Sequence, residues 1–247
     1  MTLDLAVVMP VYNEQECIAG VVEAWLTVLS ELGIEYLIIV LNDGSQDETR
    51  KALSKFAEDR RVSVVNKTNS GHGPTVLLGY RQAVEMARWV FQCDSDDEMR
   101  PEHFPQLWEK RERYDALFGF RQGRQQNVGR RLISAFSRIT VRLLFGNGVR
   151  DVNVPYRLMR ADILRQIVVQ IPDDTFAPNI IISGTMAGAG LRINNQLVPH
   201  EGRKTGTVSI MKWKLWRAAG KSLWQTIKCR PAIRRPDPPG VRDTYPV

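Results

Sequence analysis

The sequence predicts an α/β protein built on a mainly parallel sheet with helices on both faces. Three observations carry that expectation. Short apolar runs of strand length alternate with stretches whose apolar residues recur at helical spacing. The links between them are short and rich in Gly, Asn, Asp and Ser, the residues that favour turns. The chain has 247 residues, 43% of them hydrophobic, enough for a large core without staples. Its three cysteines, Cys17, Cys93 and Cys229, lie far apart with no Cys-x-x-Cys pair, which argues against a disulfide framework or a structural zinc and fits a reducing compartment.

The first half is the regular one. Leu5 to Met9 reads as a buried strand ended by Pro10. Ile18, Val21, Val22, Trp25, Val28, Leu29 and Leu32 then mark a helix stopped by Gly33. Tyr36 to Leu41 is a second strand, and Asn42-Asp43-Gly44 is a turn. Ser45, with Glu48 three residues on, reads as the cap of a helix over 47–58. Val62 to Val65 is a third strand. The loop Asn69-Ser70-Gly71-His72-Gly73 follows, and Pro74 suits the first turn of the next helix. Trp89 to Cys93 is a fourth strand, ending in Asp94-Ser95-Asp96-Asp97-Glu98, with a helix beginning near Pro101.

The second half is less regular. Ala116 to Phe120, Val152 to Leu158 and Arg192 to Val198 read as strands, and Arg130 to Phe145 and Met211 to Lys228 as helices. The Pro-rich end from Arg230 reads as loose. The expected organisation is one domain over 1–228, with a tail over 229–247. Within it, a regular half over 1–120 precedes a less regular half over 121–228.

Charge divides the chain in the same place. The net charge of +7 is concentrated in the second half: six arginines and no acid from Arg121 to Arg142, and ten Lys or Arg against the single Glu201 from His200 to Arg235. Beside the plain reading of a solvated basic face stands a sharper one, a surface facing phosphate, lipid headgroups or nucleic acid. No charged-then-apolar leader and no apolar run of roughly 18 to 20 residues is present, so neither a signal peptide nor a spanning helix is expected. In the last predicted helix Trp213, Trp216, Leu223, Trp224 and Ile227 fall along one side, flanked by lysines, which is the composition of an interfacial helix. The expected location is therefore cytoplasmic, peripheral on the inner face of a membrane.

In an α/β sheet, ligands sit beyond the carboxyl ends of the strands, and the chemistry-bearing residues fall there. No Gly-x-Gly-x-x-Gly follows the first strand, which removes the dinucleotide fingerprint. Instead Pro10, Tyr12 and Glu14 offer a rigid turn, a ring to stack on a base and a carboxylate. Asp43 could accept from a base or ribose hydroxyl, with turn chemistry as the alternative. His72 stands just before a helix N-terminus, where phosphates are favoured. Asp94, Asp96 and Glu98 crowd carboxylates that repel one another unless a cation is shared. Their hard oxygens suit Mg2+ or Mn2+ bridging to phosphate.

Pro-x-Tyr-Asn-Glu, Asn-Asp-Gly-Ser-x-Asp, Asn-x-Gly-x-Gly and Asp-x-Asp recur here in that order. The set resembles the family-2 inverting glycosyltransferases, whose glycosyltransferase-A fold is Rossmann-like. The resemblance implies that Pro10, Tyr12, Glu14 and Asp43 hold the nucleoside, and that Asp94 and Asp96 flank the diphosphate. By the same likeness Asp96 is the surest metal ligand, and Glu98 stands where relatives often carry Gln. Downstream, Gly119-Phe120-Arg121, Asp151 to Leu158 and Arg203 to Ser209 are similar to the polyprenyl-phosphate branch of that family, typified by dolichol-phosphate mannosyltransferase. Relatives usually have Gly-Ser-Arg and Gly-Phe-Arg where this chain has Gly-Phe-Arg and Pro-Tyr-Arg.

The expected reaction is transfer of a hexose, with inversion, from a GDP- or UDP-hexose to a polyprenyl phosphate. Arg203 would clamp a phosphate, and Arg121, Arg130 and Arg131 would hold the acceptor phosphate. A lipid phosphate is already anionic and needs no strong base. A hydroxyl acceptor, the first alternative, would need one, with Asp97, Glu98 or Asp151 the candidates. The second alternative is a non-catalytic nucleotide-sugar or nucleic-acid binder; the acidic cluster opposes nucleic acid. Many relatives add transmembrane helices, so a separate membrane protein is a candidate partner.

Overall fold

A computed structural model describes residues 2–120 and 149–199, together with Gly220, Gln225 and 234–236. The expected helix over 130–145, all of the one over 211–228 except Gly220 and Gln225, and nearly all of the tail lie outside the described residues.

The chain runs β1 (Leu3–Val11), α1 (Ile18–Glu31), β2 (Tyr36–Asp43), α2 (Thr49–Ser54), β3 (Val62–Lys67), α3 (His72–Met86) and β4 (Ala87–Cys93). It continues through α4 (Phe104–Lys110), β5 (Ala116–Phe120), β6 (Tyr156–Arg160), α5 (Ala161–Val168), α6 (Pro178–Gly188) and β7 (Ile193–Leu197). The seven strands form one sheet in the order β3-β2-β1-β4-β6-β5-β7. β1 pairs parallel with β2 and β4, and β2 with β3. β6 runs antiparallel between β4 and β5, and β7 closes the edge parallel to β5. The sheet is therefore mainly parallel, as expected, with one reversed strand in it.

The central strands are apolar because helices cover both faces: Leu5 to Met9 and Ile38 to Leu41 are 0–1% exposed. On one face Trp25 of α1, Phe91 of β4, Phe104 of α4 and Tyr156 of β6 form an aromatic cluster. Phe91 meets Phe104 and Tyr156 edge-on, with ring centroids 4.7 and 4.8 Å apart. On the other face α3 lies so close to the sheet that a Cβ on Gly79 would come within 2.4 Å of the Val8 side chain. Only glycine permits that approach, and it draws the N-terminus of α3 against the strand ends.

Several boundaries differ from the sequence reading, each for a physical reason. β1 does not stop at Pro10, which pairs with Leu41 of β2. β4 pairs with β1 only as far as Val8, so a residue lacking an N–H is tolerated there. The helix expected over 47–58 is confined to Thr49–Ser54, and Ser45 does not cap it; Asp47 accepts from the Thr49 N–H instead, at 3.0 Å. The strand expected over Val152 to Leu158 is Tyr156–Arg160, and 151–155 is loop. Two helices, α5 and α6, were not anticipated. α6 is buried along almost its whole length, so its sequence carries no amphipathic period to read.

Candidate functional site

The turns after β1 and β2 are laced together. Asn13, in the left-handed region at φ 55°, donates its N–H to Ser45 Oγ at 3.0 Å, and its Oδ1 accepts from the Gln46 N–H at 2.8 Å. The Glu14 N–H donates to Thr49 Oγ1 at 2.9 Å, and the Glu48 N–H to Gln15 Oε1 at 2.8 Å. Asn13 and Ser45 thus act on each other rather than as separate caps. The joined turns hold Tyr12, 40% exposed, and Glu14 at the rim of a cleft.

Asp43, at the end of β2, is buried and organises the next wall. Its carboxylate accepts from Lys67 Nζ, from the Ser70 N–H at 2.8 Å and from the Gly71 N–H at 2.9 Å. Burial alone would raise this carboxyl; the Lys67 ammonium and the Ser70 and Thr75 donors outweigh it and hold it below the ordinary 3.8. Lys67 also donates to Ser70 Oγ at 2.7 Å and Thr75 Oγ1 at 3.2 Å. Sequence reading missed Lys67; its one signal was a cation ending an otherwise uncharged strand. The loop so fixed reaches α3 through Gly73, where a Cβ would stand 2.1 Å from the Phe176 carbonyl oxygen.

β4 delivers the acids. Asp94 and Asp96 both face the cleft, and the Glu98 N–H donates to Asp96 Oδ1 at 3.2 Å. Asp97 turns the chain at φ 56°, a conformation that Asp tolerates better than most side chains. His72 Nε2 lies 4.0 Å from Asp94 Oδ1. Pro10, Tyr12, Glu14, Asp43, His72, Asp94 and Asp96 therefore line one cleft of 410 Å³ at the carboxyl ends of the parallel strands. Glu98 does not line it; it borders a smaller recess with Asp94, Asp96, Met99 and Pro155.

Among the described residues no group of three His, Cys, Asp or Glu side chains converges to hold a metal ion. Asp94 and Asp96 still fit a hard divalent cation. Such ions commonly take one or two carboxylates and complete their shell with substrate phosphate and water.

Asp151 lies in the loop before β6, its Oδ1 accepting from the Asn153 N–H at 3.3 Å. That loop is held by Arg157, which is fully buried; it ends the Pro-Tyr-Arg triplet of the sequence reading, which gave it no role of its own. Its guanidinium donates to Val154 O at 2.9 Å, Val152 O at 3.1 Å and Asn179 O at 3.2 Å, and sits 4.9 Å from the Phe118 ring centroid. Through Pro155 the same loop borders the acids. Arg121, Arg130, Arg131 and Arg203 lie outside the described residues.

A parallel sheet carrying an acid-edged cleft at its strand ends, with an antiparallel strand inserted beside β4, is the architecture of glycosyltransferase-A enzymes. Glucosyl-3-phosphoglycerate synthase from Mycobacterium tuberculosis, solved with Mn2+ and UDP-glucose, superposes with a TM-score of 0.66 at 16% identity, over 95% of this chain and 80% of that one. TarS from S. aureus, solved with UDP-GlcNAc, gives 0.56 at 16% identity, over 91% and 73%. The family model for glycosyl transferase family 2 matches residues 6–168, and the chain belongs to that family. An undecaprenyl-phosphate 4-deoxy-4-formamido-L-arabinose transferase from Pectobacterium carotovorum is 29% identical over 208 residues, 83% of this chain and 62% of the relative. An uncharacterized glycosyltransferase from Synechocystis is 30% identical over 226 residues, 89% of this chain and 68% of the relative. The chain thus spans less than two thirds of the length of the undecaprenyl-phosphate relative.

Proposed function

We propose that the chain is an inverting glycosyltransferase that moves a hexose from a nucleoside-diphosphate sugar, UDP- or GDP-linked, to a polyprenyl phosphate at a membrane surface. The observation that carries this reading is the convergence of Tyr12, Glu14, Asp43, His72, Asp94 and Asp96 on one cleft. The undecaprenyl-phosphate relatives support the acceptor class.

In this reading Tyr12 stacks on the base, and the wall built by Asp43 and Lys67 receives base and ribose. Asp94 and Asp96 hold Mg2+ or Mn2+, and His72 approaches the diphosphate. The bound cation supplies neutralisation of the negative charge that develops on the leaving diphosphate. Glu98 borders the acids from the outer recess and is a secondary candidate ligand. Arg203 clamps a phosphate, and Arg121, Arg130 and Arg131 receive the acceptor phosphate. The catalytic unit is the span 1–228, and its basic half faces the membrane, alone or beside a membrane-protein partner. A second reading, with a hydroxyl acceptor and Asp151 as general base, is favoured by the position of the Asp151 loop beside the acids. Activity without lipid would select it.

Asp96→Asn replaces a carboxylate oxygen by an amide and should lower kcat on the correct donor by at least about a hundredfold, on the scale of losing one strong electrostatic stabiliser. The assay pairs UDP- and GDP-hexoses with a short polyprenyl phosphate, with and without Mn2+. An unchanged rate in Asp96→Asn overturns the reading.

A further inference from the structure

Beneath Asp94 lies a buried polar chain that the cleft itself does not use. Arg88 of β4 is exposed, and in the buried stretch Trp89–Cys93 the one polar side chain apart from the thiol of Cys93 is Gln92, which is 0% exposed. Tyr80 of α3 and Asn179 of α6, at 0% and 3%, meet it from neighbouring elements. The Tyr80 hydroxyl donates to Asn179 Oδ1 at 2.8 Å, Asn179 Nδ2 donates to Gln92 Oε1 at 3.0 Å, and Gln92 Nε2 donates to Asp94 Oδ1 at 3.2 Å. The Tyr80 hydroxyl also lies 3.3 Å from Gln92 Oε1.

The surroundings fix the direction of both amides. Turning Gln92 over would set its NH2 against that of Asn179 and its carbonyl against a carboxylate. Every donor therefore points toward Asp94, and hydrogen bonds in such a series polarise one another. The origin is anchored too, because Arg157 Nη1 donates to the backbone oxygen of Asn179 at 3.2 Å.

We propose that Gln92, backed by Asn179 and Tyr80, is a positioning residue that holds Asp94 in the orientation in which it receives the cation and diphosphate of the donor. This rests on the donor-site reading above. A buried amide on a central strand costs stability unless it is fully bonded, and a core of that shape could have been apolar throughout. Gln92 spends its amide donor on a carboxylate that faces the cleft.

The test is a double-mutant cycle on binding rather than on turnover. The full chain is titrated calorimetrically with UDP and with GDP in the presence of Mn2+. Gln92→Met keeps the side chain's length and removes both polar atoms; it should weaken nucleotide binding by about tenfold, the usual scale for losing a partner that orients a metal ligand. Asp94→Asn should weaken it further. In the Asp94→Asn background Gln92→Met should add less than about twofold, because its effect passes through Asp94. An equal penalty in both backgrounds, or unchanged binding in Gln92→Met, overturns the proposal. Should Gln92→Met fail to fold, Tyr80→Phe, which loses one oxygen, runs the same cycle, and additive behaviour there is equally fatal. Wild-type protein that binds neither nucleotide with Mn2+ would instead remove the donor-site reading, and the positioning role with it.

Discussion

Arg157 shows what a single residue does in this fold. A fully buried guanidinium normally faces a carboxylate; here, among the described residues, it donates to backbone carbonyls and Ser183 Oγ. Burial lowers its pKa, while Tyr80, Asp151 and Asp94 pull the other way. The planar fork suits this task, since its donors lie in one plane and reach carbonyls on both the 151–155 loop and α6. Arg157→Met would take a donor from three carbonyl oxygens, of which Val152 O keeps its bond from the Ser183 hydroxyl at 3.0 Å, and should destabilise the protein by about 2 kcal/mol, given roughly 1 kcal/mol or more for each buried group left unbonded. Arg157→Lys, with one donor point, should recover only part of it. Urea denaturation measures both, and a loss under about 1 kcal/mol in Arg157→Met would refute the role. Legibility at this scale was uneven. Tyr12, Glu14, Asp43 and Asp94 were readable because they end strands, where an α/β sheet places ligands. Arg157, Lys67 and Gln92 were not, because their partners come from elements distant in sequence and only the folded chain brings them together.

At the scale of elements, β7 is one of the sheet's two edge strands, and its entry is fixed by one buried acid. Asp115 accepts from the Arg192 N–H at 2.9 Å and from Arg192 Nη2 at 2.8 Å, immediately before β5 and β7 begin to pair. Burial would raise this carboxyl, yet the Arg192 side-chain and backbone donors hold it below 3.8. A carboxyl whose folded value is depressed contributes stability that is present above its unfolded value and is lost as pH falls through the folded one. Asp43 and Asp47 are depressed in the same sense, so the protein should lose stability progressively as pH drops below about 4. Asp115→Asn should be less stable at pH 7, and its stability should fall less steeply on the acid side. Denaturant unfolding at a series of pH values reads both, and an unchanged acid slope would show that Asp115 contributes nothing. β1 to β4 were legible because continuous apolar runs paired in parallel give a strong local signal. The insertion of β6 between β4 and β5 was not, because strand order is a long-range property with no local mark.

At the scale of the whole molecule, the proposed lipid acceptor requires that this glycosyltransferase-A domain reach a membrane surface. Among the described residues no helix is long and apolar enough to cross a membrane. The proposed contact is the basic half, where ten Lys or Arg fall between His200 and Arg235 with Trp213, Trp216 and Trp224 among them. Two forces of different character would act there. Each cation near an anionic leaflet adds about 1 kcal/mol that salt screens, whereas indole rings at the headgroup level add a part that salt leaves in place. The two can be separated by co-sedimentation. Wild-type protein should pellet with vesicles containing an anionic phospholipid and much less with purely zwitterionic ones. Raising the salt from about 0.1 M to 1 M, which shortens the screening length from about 10 to 3 Å, should release most but not all of it. Replacing Trp213, Trp216 and Trp224 together by Ser should remove the salt-resistant fraction and leave the salt-sensitive one. If the triple variant instead pellets like the wild type at high salt, those rings do not enter the interface. The salt-resistant contact would then come from other apolar residues of the chain, and the interfacial role of the 211–228 segment would be lost.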